Sequence, residues 1–149
     1  MGLDMYLQAS VYIGANYKHN EVSGIVDIHK QNQPIDLPLN KIVSVVLDLG
    51  YWRKANAIHK YFVDVVGDCD DDCRPIDVYG EHLENLKDLC EKVLADHSLA
   101  ETLLPTASGF FFGGTDYDDY YFQYLRDTIK IIDDALKTNN NHFIYQASW

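Results

Sequence analysis

Four side chains suited to ligand chemistry stand close together in the run YWRKANAIHKYFV: Trp52, Arg53, Asn56 and His59. Tryptophan offers stacking area, arginine a planar fork of donors, and asparagine and histidine directed hydrogen bonds. That set suits a nucleobase, another planar ligand or a carboxylate. Read as a helix, the run places Trp52, Asn56 and His59 along one edge of an apolar arc, where a pocket would open. The same spacing fits a plainer role, with Trp52 in the core, His59 hydrogen-bonded at its boundary and Arg53 on the solvated face.

A second group lies in GFFFGGTDYDD: Gly113, Gly114, Thr115 and Tyr117. Glycines ahead of a helix can cradle a phosphate. Here no lysine follows as in a P-loop, and the dinucleotide-binding glycine spacing is absent. Asp116, Asp118 and Asp119 complement the positive end of the helix and would repel a phosphate unless a metal intervened. Thr115 with Asp118 has the spacing of an N-cap and its reciprocal partner. Both groups follow an apolar strand-like run through a glycine (Gly50; Gly113 and Gly114). The two turns are therefore expected to face each other across one ligand-binding cleft, with Arg53 offsetting Asp116 and Asp118. No nucleophile motif is present, so the catalytic residues of any reaction are unknown. An enzymatic alternative makes His59 a general base assisted by Asp116 or Asp118.

The third group is Asp68, Cys69, Asp70, Asp71, Asp72 and Cys73. Asp68, Asp70 and Asp72 echo the start of an EF-hand loop, but the central glycine and the final glutamate are missing. Cys69 and Cys73 would make half a zinc site, without a second pair at standard spacing. A solvated acidic loop is the expectation, with no metal and no cofactor.

The elements that position these groups can be read from periodicity. Leu3–Ile13 alternates as a strand, with Met5, Leu7, Ala9 and Val11 on one side. Gly14–Asn20 reads as a turn, Val22–His29 as a weaker strand and Gln31–Asn40, with two prolines, as a loop. The β-branched Lys41–Leu49 is expected as a central strand. Gly50 then opens the first helix, on which Trp52, Ala55, Ile58, Phe62, Val65 and Val66 share an arc, and Gly67 stops it. Ile76–Tyr79 reads as a short strand, His82–Ala95 as a second helix and His97–Leu104 as a further helical turn. Phe110–Phe112 reads as an apolar strand before the long helix Asp116–Lys137, whose face is Tyr121, Leu125, Thr128, Ile132 and Leu136. His142–Trp149 follows as a final strand. The fold class is α+β: a single domain over residues 1–149, with a small, mainly antiparallel sheet packed by three helices.

Composition bounds the function. The 149 residues carry a net charge of −11 with 47% hydrophobic content, which fits a globular chain with a real core. Such acidity argues against direct DNA or RNA binding, where affinity comes from cations on phosphates. It suits a basic protein partner. No stretch has the length of a membrane span, and Asp4 stands where a signal peptide would carry a basic residue. With three cysteines, Cys69, Cys73 and Cys90, a reducing cytoplasm is expected.

The blocks MGLDMYL, YWRKANAIHKYFV and LLPTASGFFFGGTDYDDYYFQYLRDTI together resemble a family of small uncharacterised bacteriophage and prophage proteins. They amount to about a third of the chain, spread over its start, middle and end; the loop DCDDDCRP is not part of the pattern. The family has no established activity, so no catalytic residue is carried over. What the resemblance implies is a context: the cytoplasm of a host bacterium, and an inhibitor of a host defence process. Such an inhibitor would bind a host protein or sequester a small nucleotide-like ligand, and its oligomeric state is open.

Overall fold

The computed structural model describes residues 2–12, 29–30, 33–34 and 42–149. The chain divides into two compact units: Met1–Ala9 with Asp48–Trp149, and Ser10–Leu47. In the second unit β2 (His29–Lys30) and β3 (Gln33–Pro34) form an antiparallel ladder. The turn expected over 14–20, most of the strand expected over 22–29 and most of the loop expected over 31–40 lie outside the described residues.

The fold is α+β, built on a four-stranded antiparallel sheet. Its strands are β1 (Asp4–Tyr12), β4 (Ser44–Arg53), β5 (Ile76–Tyr79) and β6 (His142–Ser148), in the order β4–β1–β6–β5. β1 pairs antiparallel with β6 from Asp4 opposite Ser148 to Gln8 opposite Ile144, and β5 pairs with the other edge of β6. The strand period of two sends Met5, Leu7, Ala9, Val78, Phe143, Tyr145 and Ala147 to a single buried face. The helices cover that face.

Helix α2 (Gly80–Ala95) buries Leu83, Leu86, Cys90 and Val93. A 3-10 turn (His97–Leu99) and the short α3 (Ala100–Leu103) follow it. The long α4 (Asp119–Leu136) buries Tyr121, Phe122, Leu125, Thr128, Ile132 and Ala135, each large apolar side chain contributing about 1.5–3 kcal/mol. Lys87 of α2 reaches Asp133 of α4 at 2.6 Å and ties the two helices on their outer side. Among the described residues no helix is long and apolar enough to cross a membrane.

Three expectations change. The β-branched run is not a central strand: β4 stands at an edge of the sheet and runs on to Arg53. β-propensity reports a fit to a pleated surface and does not separate edge from centre. Gly50 therefore lies inside a strand, where a Cβ would come 2.3 Å from Ile131 Cγ2; its bareness lets α4 lie close on β4. The first helix, α1, is correspondingly short, Asn56–Tyr61, and continues as a π-helical turn over Phe62–Val66, closed by Gly67 N–H on Phe62 C=O at 2.8 Å. Val65, expected on the buried arc, is exposed because the wider π turn rotates it outward. Finally, Phe110–Phe112 is a turn rather than a strand, closed by Phe112 N–H on Gly109 C=O at 3.2 Å.

Candidate functional site

The approach to α1 is contorted. Lys54 is left-handed at φ 60°, its N–H bonded to Leu3 C=O at 2.8 Å. Ala55, at φ −79° and ψ 68°, then makes an inverse γ-turn closed by Asn56 N–H on Lys54 C=O at 2.9 Å. Opposite, Gly113 has φ 90°, a conformation that disfavours any side chain, and a Cβ there would sit 3.2 Å from Lys54 Cβ.

Asn56, buried at the start of α1, holds the facing loop in place. Its Nδ2 donates to Phe112 C=O at 3.1 Å and Gly114 C=O at 2.8 Å, and its Oδ1 accepts from Ala107 N–H at 3.1 Å. Leu3 N–H adds a bond to Phe111 C=O at 3.2 Å. Thr106 Oγ1 donates to Thr115 C=O at 3.0 Å, closing the loop on itself. The turn over Gly109–Phe112 is thus pinned at several backbone points. Its Phe112 ring is buried, while Phe110 is 96% exposed.

Between these segments and the first turn of α4 opens a cleft of about 380 Å³. Asn56, Gly113 and Gly114 line it together with Lys54, Asp116, Asp118, Tyr120 and Tyr124, over a buried floor of Ala55, Ala57, Ile58 and Leu125. Asp118, not Thr115, is the N-cap of α4, its Oδ1 accepting from Tyr121 N–H at 3.0 Å. The helix begins three residues later than expected because Asp118 holds the extended backbone an N-cap needs. Among the described residues neither Asp116 nor Asp118 has a cationic partner, whereas Asp127, Asp133 and Asp134 farther along α4 each meet a lysine.

The sequence-nominated residues divide. Asn56, Gly113 and Gly114 line the cleft; Trp52, Arg53, His59, Thr115 and Tyr117 do not. Trp52 is on β4, not on a helix, and points into the core with Nε1–H on Thr128 Oγ1 at 2.9 Å. Arg53, on the opposite face of the same strand, lies 3.8 Å from Asp4 and does not offset Asp116 or Asp118. Tyr117 receives the Thr106 N–H at 3.5 Å and packs edge-on against Tyr121. Sequence reasoning missed Lys54, Tyr120 and Tyr124 as lining residues. The signal for the tyrosines was their i, i+4 spacing just after Asp116 and Asp118.

His59 belongs to a separate, closed arrangement. Its ring is 2% exposed and makes bonds at both nitrogens, Nδ1 to Tyr145 Oη at 2.7 Å and Nε2 to Asp71 Oδ2 at 3.0 Å. With Nε2–H donating to Asp71, Nδ1 accepts from the Tyr145 hydroxyl. Trp149 Nε1–H donates to the other Asp71 oxygen at 3.2 Å, and Phe112 stands edge-on to the His59 ring at 5.1 Å. Burial, aided by the Asp71 charge, raises the Tyr145 phenol well above its usual range. His59 and Tyr145 are buried while Asp71 and Trp149 reach the surface; with both its ring nitrogens engaged, His59 has none free for a substrate and the general-base alternative loses its base.

The acidic loop spends three of its four carboxylates locally. Asp71 serves His59, while Asp70 and Asp72 both reach Arg74. The Arg74 backbone N–H, with its guanidinium, holds the Asp72 carboxyl below its usual range. Cys69 and Cys73 share φ 63° on that loop, and among the described residues no three His, Cys, Asp or Glu side chains are grouped to hold a metal ion. Cys90 is buried in α2, which pushes its thiol up to about 12. No family model, curated protein or solved structure matches this chain.

Proposed function

We propose that this is a non-enzymatic bacteriophage accessory protein that inhibits a host defence process by binding a host protein. The observation that carries the reading is Phe110, 96% exposed on a turn whose neighbours are fixed by Asn56, Leu3 and the buried Phe112 ring. A large apolar side chain held out from a rigid turn loses little freedom on docking, and aromatic residues of this kind are enriched at the centres of interfaces. The surrounding acidity, with Asp116, Asp118 and Asp119 close in sequence and a net charge of −11, favours a partner with a basic face.

The test is recovery of a partner from host lysate on immobilised protein, run in parallel with Phe110→Ser and at rising ionic strength. The reading expects one host protein, lost with Phe110→Ser and weakened steeply by salt. Equal recovery on the variant, or recovery of nothing, refutes it. A small nucleotide-like ligand found by native mass spectrometry, with no protein partner, favours the sequestering mode instead.

A further inference from the structure

We infer that the cleft seats the guanidinium of an arginine side chain projecting from a basic partner, a role that rests on the protein-binding reading above. The lining carries two carboxylates, Asp116 and Asp118, against one cation, Lys54. Asp116 makes no hydrogen bond or ion pair among the described residues, and Asp118 uses only Oδ1, on Tyr121 N–H, leaving Oδ2 open. The lysines of α4 sit beyond this end of the helix, on Asp127 and Asp134, so nothing in the helix neutralises the pair. The lining is left with one negative charge in excess.

Its shape chooses among cations. Tyr120 and Tyr124 stand along the cleft as two aromatic rings one helical turn apart. A guanidinium is flat, weakly hydrated, stacks on aromatic rings and donates to two acceptors at once. An ammonium is a compact, strongly hydrated charge and uses such walls less well. A phosphate would meet Asp116 and Asp118 head-on, which weighs against the nucleotide-like ligand expected from the glycines alone.

The test needs no host protein. Backbone amide NMR spectra of the purified protein are titrated with N-acetyl-arginine amide, N-acetyl-lysine amide, the neutral isostere N-acetyl-citrulline amide, and AMP. The expected result is saturable shifts at Gly113, Gly114, Tyr120 and Tyr124 with the arginine probe. The lysine probe should bind several-fold more weakly, and citrulline and AMP should leave these signals in place. Asp116→Asn should weaken the arginine probe by about tenfold, the scale of one lost charge-assisted bond. Equal responses to arginine and lysine would mean general attraction to an acidic protein and overturn the inference, as would equal binding of citrulline or shifts confined to residues outside the cleft. Because no host partner is present, failure here leaves the Phe110 pull-down to judge the broader reading, and failure of the pull-down leaves the arginine result standing.

Discussion

Loop 107–114 borders two polar clusters of opposite character: Phe112 stacks edge-on against the His59 knot, while Gly113 and Gly114 line the cleft beside Asp116. In the knot, histidine, aspartate, tyrosine and tryptophan spend their polar atoms on one another, and His59 is sealed from solvent. In the cleft, two carboxylates and a lysine make no ion pair among the described residues. The knot has residue types that suggest catalysis and a geometry that serves folding. The cleft looks like an ordinary helix start in sequence, yet its groups are the ones left to meet a ligand. What separates the two is whether the polar atoms are already satisfied, since satisfied buried groups rigidify a fold and unsatisfied exposed ones are free to bind.

The contrast can be broken most forcefully on the buried side. Trp52→Ala removes a fully packed indole and leaves the Thr128 hydroxyl oxygen without the N–H it accepts, and should cost about 3–5 kcal/mol in a urea unfolding curve. A variant as stable as the parent would show that Trp52 is not core. Asn56→Ala comes next, because it leaves Phe112 C=O, Gly114 C=O and Ala107 N–H without their partner. It should cost about 1–3 kcal/mol and speed hydrogen exchange specifically across 107–114. Uniform exchange changes over the whole chain would instead mean that the amide does not pin that loop.

Tyr145→Phe is milder and reads the knot through pH. The folded phenol is raised, so the stability it contributes is complete below the unfolded value of about 10 and is lost as pH climbs beyond it. The parent should therefore lose stability as pH rises above about 10, the ordinary phenol value, more steeply than the Phe variant. Parallel curves would place the alkaline loss in the other raised phenols, Tyr51, Tyr61 and Tyr121. The smallest effect belongs to the cleft: Asp116→Asn should change unfolding stability by less than about 0.5 kcal/mol, because the carboxylate holds nothing in the fold. A large loss of stability there would erase the distinction between the two clusters.

Most of the framework was legible in the chain. β1, β5, β6, α2 and α4 announce themselves by periods of two or 3.6 over enough residues to count, and β5 carries the bounds expected of it. The misreadings fall where a pattern is short. Tyr51, Trp52 and Arg53 alternate across β4, but three residues followed by Ala55, Ile58 and Phe62 also fit a helical arc, and Gly50 looks like a break when it is a point of close approach. The three phenylalanines read as one apolar run, yet the turn at Gly109 sends Phe112 inward and Phe110 outward. For the site, the glycines and Asn56 were visible as types. Asp116 and Asp118 were legible at the cleft too, but the partner expected for them, Arg53, meets Asp4 instead, and the left-handed backbone of Lys54 has no signature in a lysine.

The place of β6 in the sheet has a consequence for how the chain reaches this state. β6 lies between β1 and β5, so the pair Asp4–Ser148 joins positions separated by nearly the whole sequence. While the ribosome is still making residues before 142, β5 has no strand to pair with, and β1 lacks its partner on that side. The helical pair α2 and α4 can form from nearer neighbours, but the sheet beneath them waits for the last strand. Closing so long a loop is entropically unfavourable before any contact repays it, and chains dominated by such contacts fold slowly. During synthesis, the interval before β6 emerges is therefore when Met5, Leu7 and Val78 stand exposed and the nascent protein is most open to aggregation or to a chaperone.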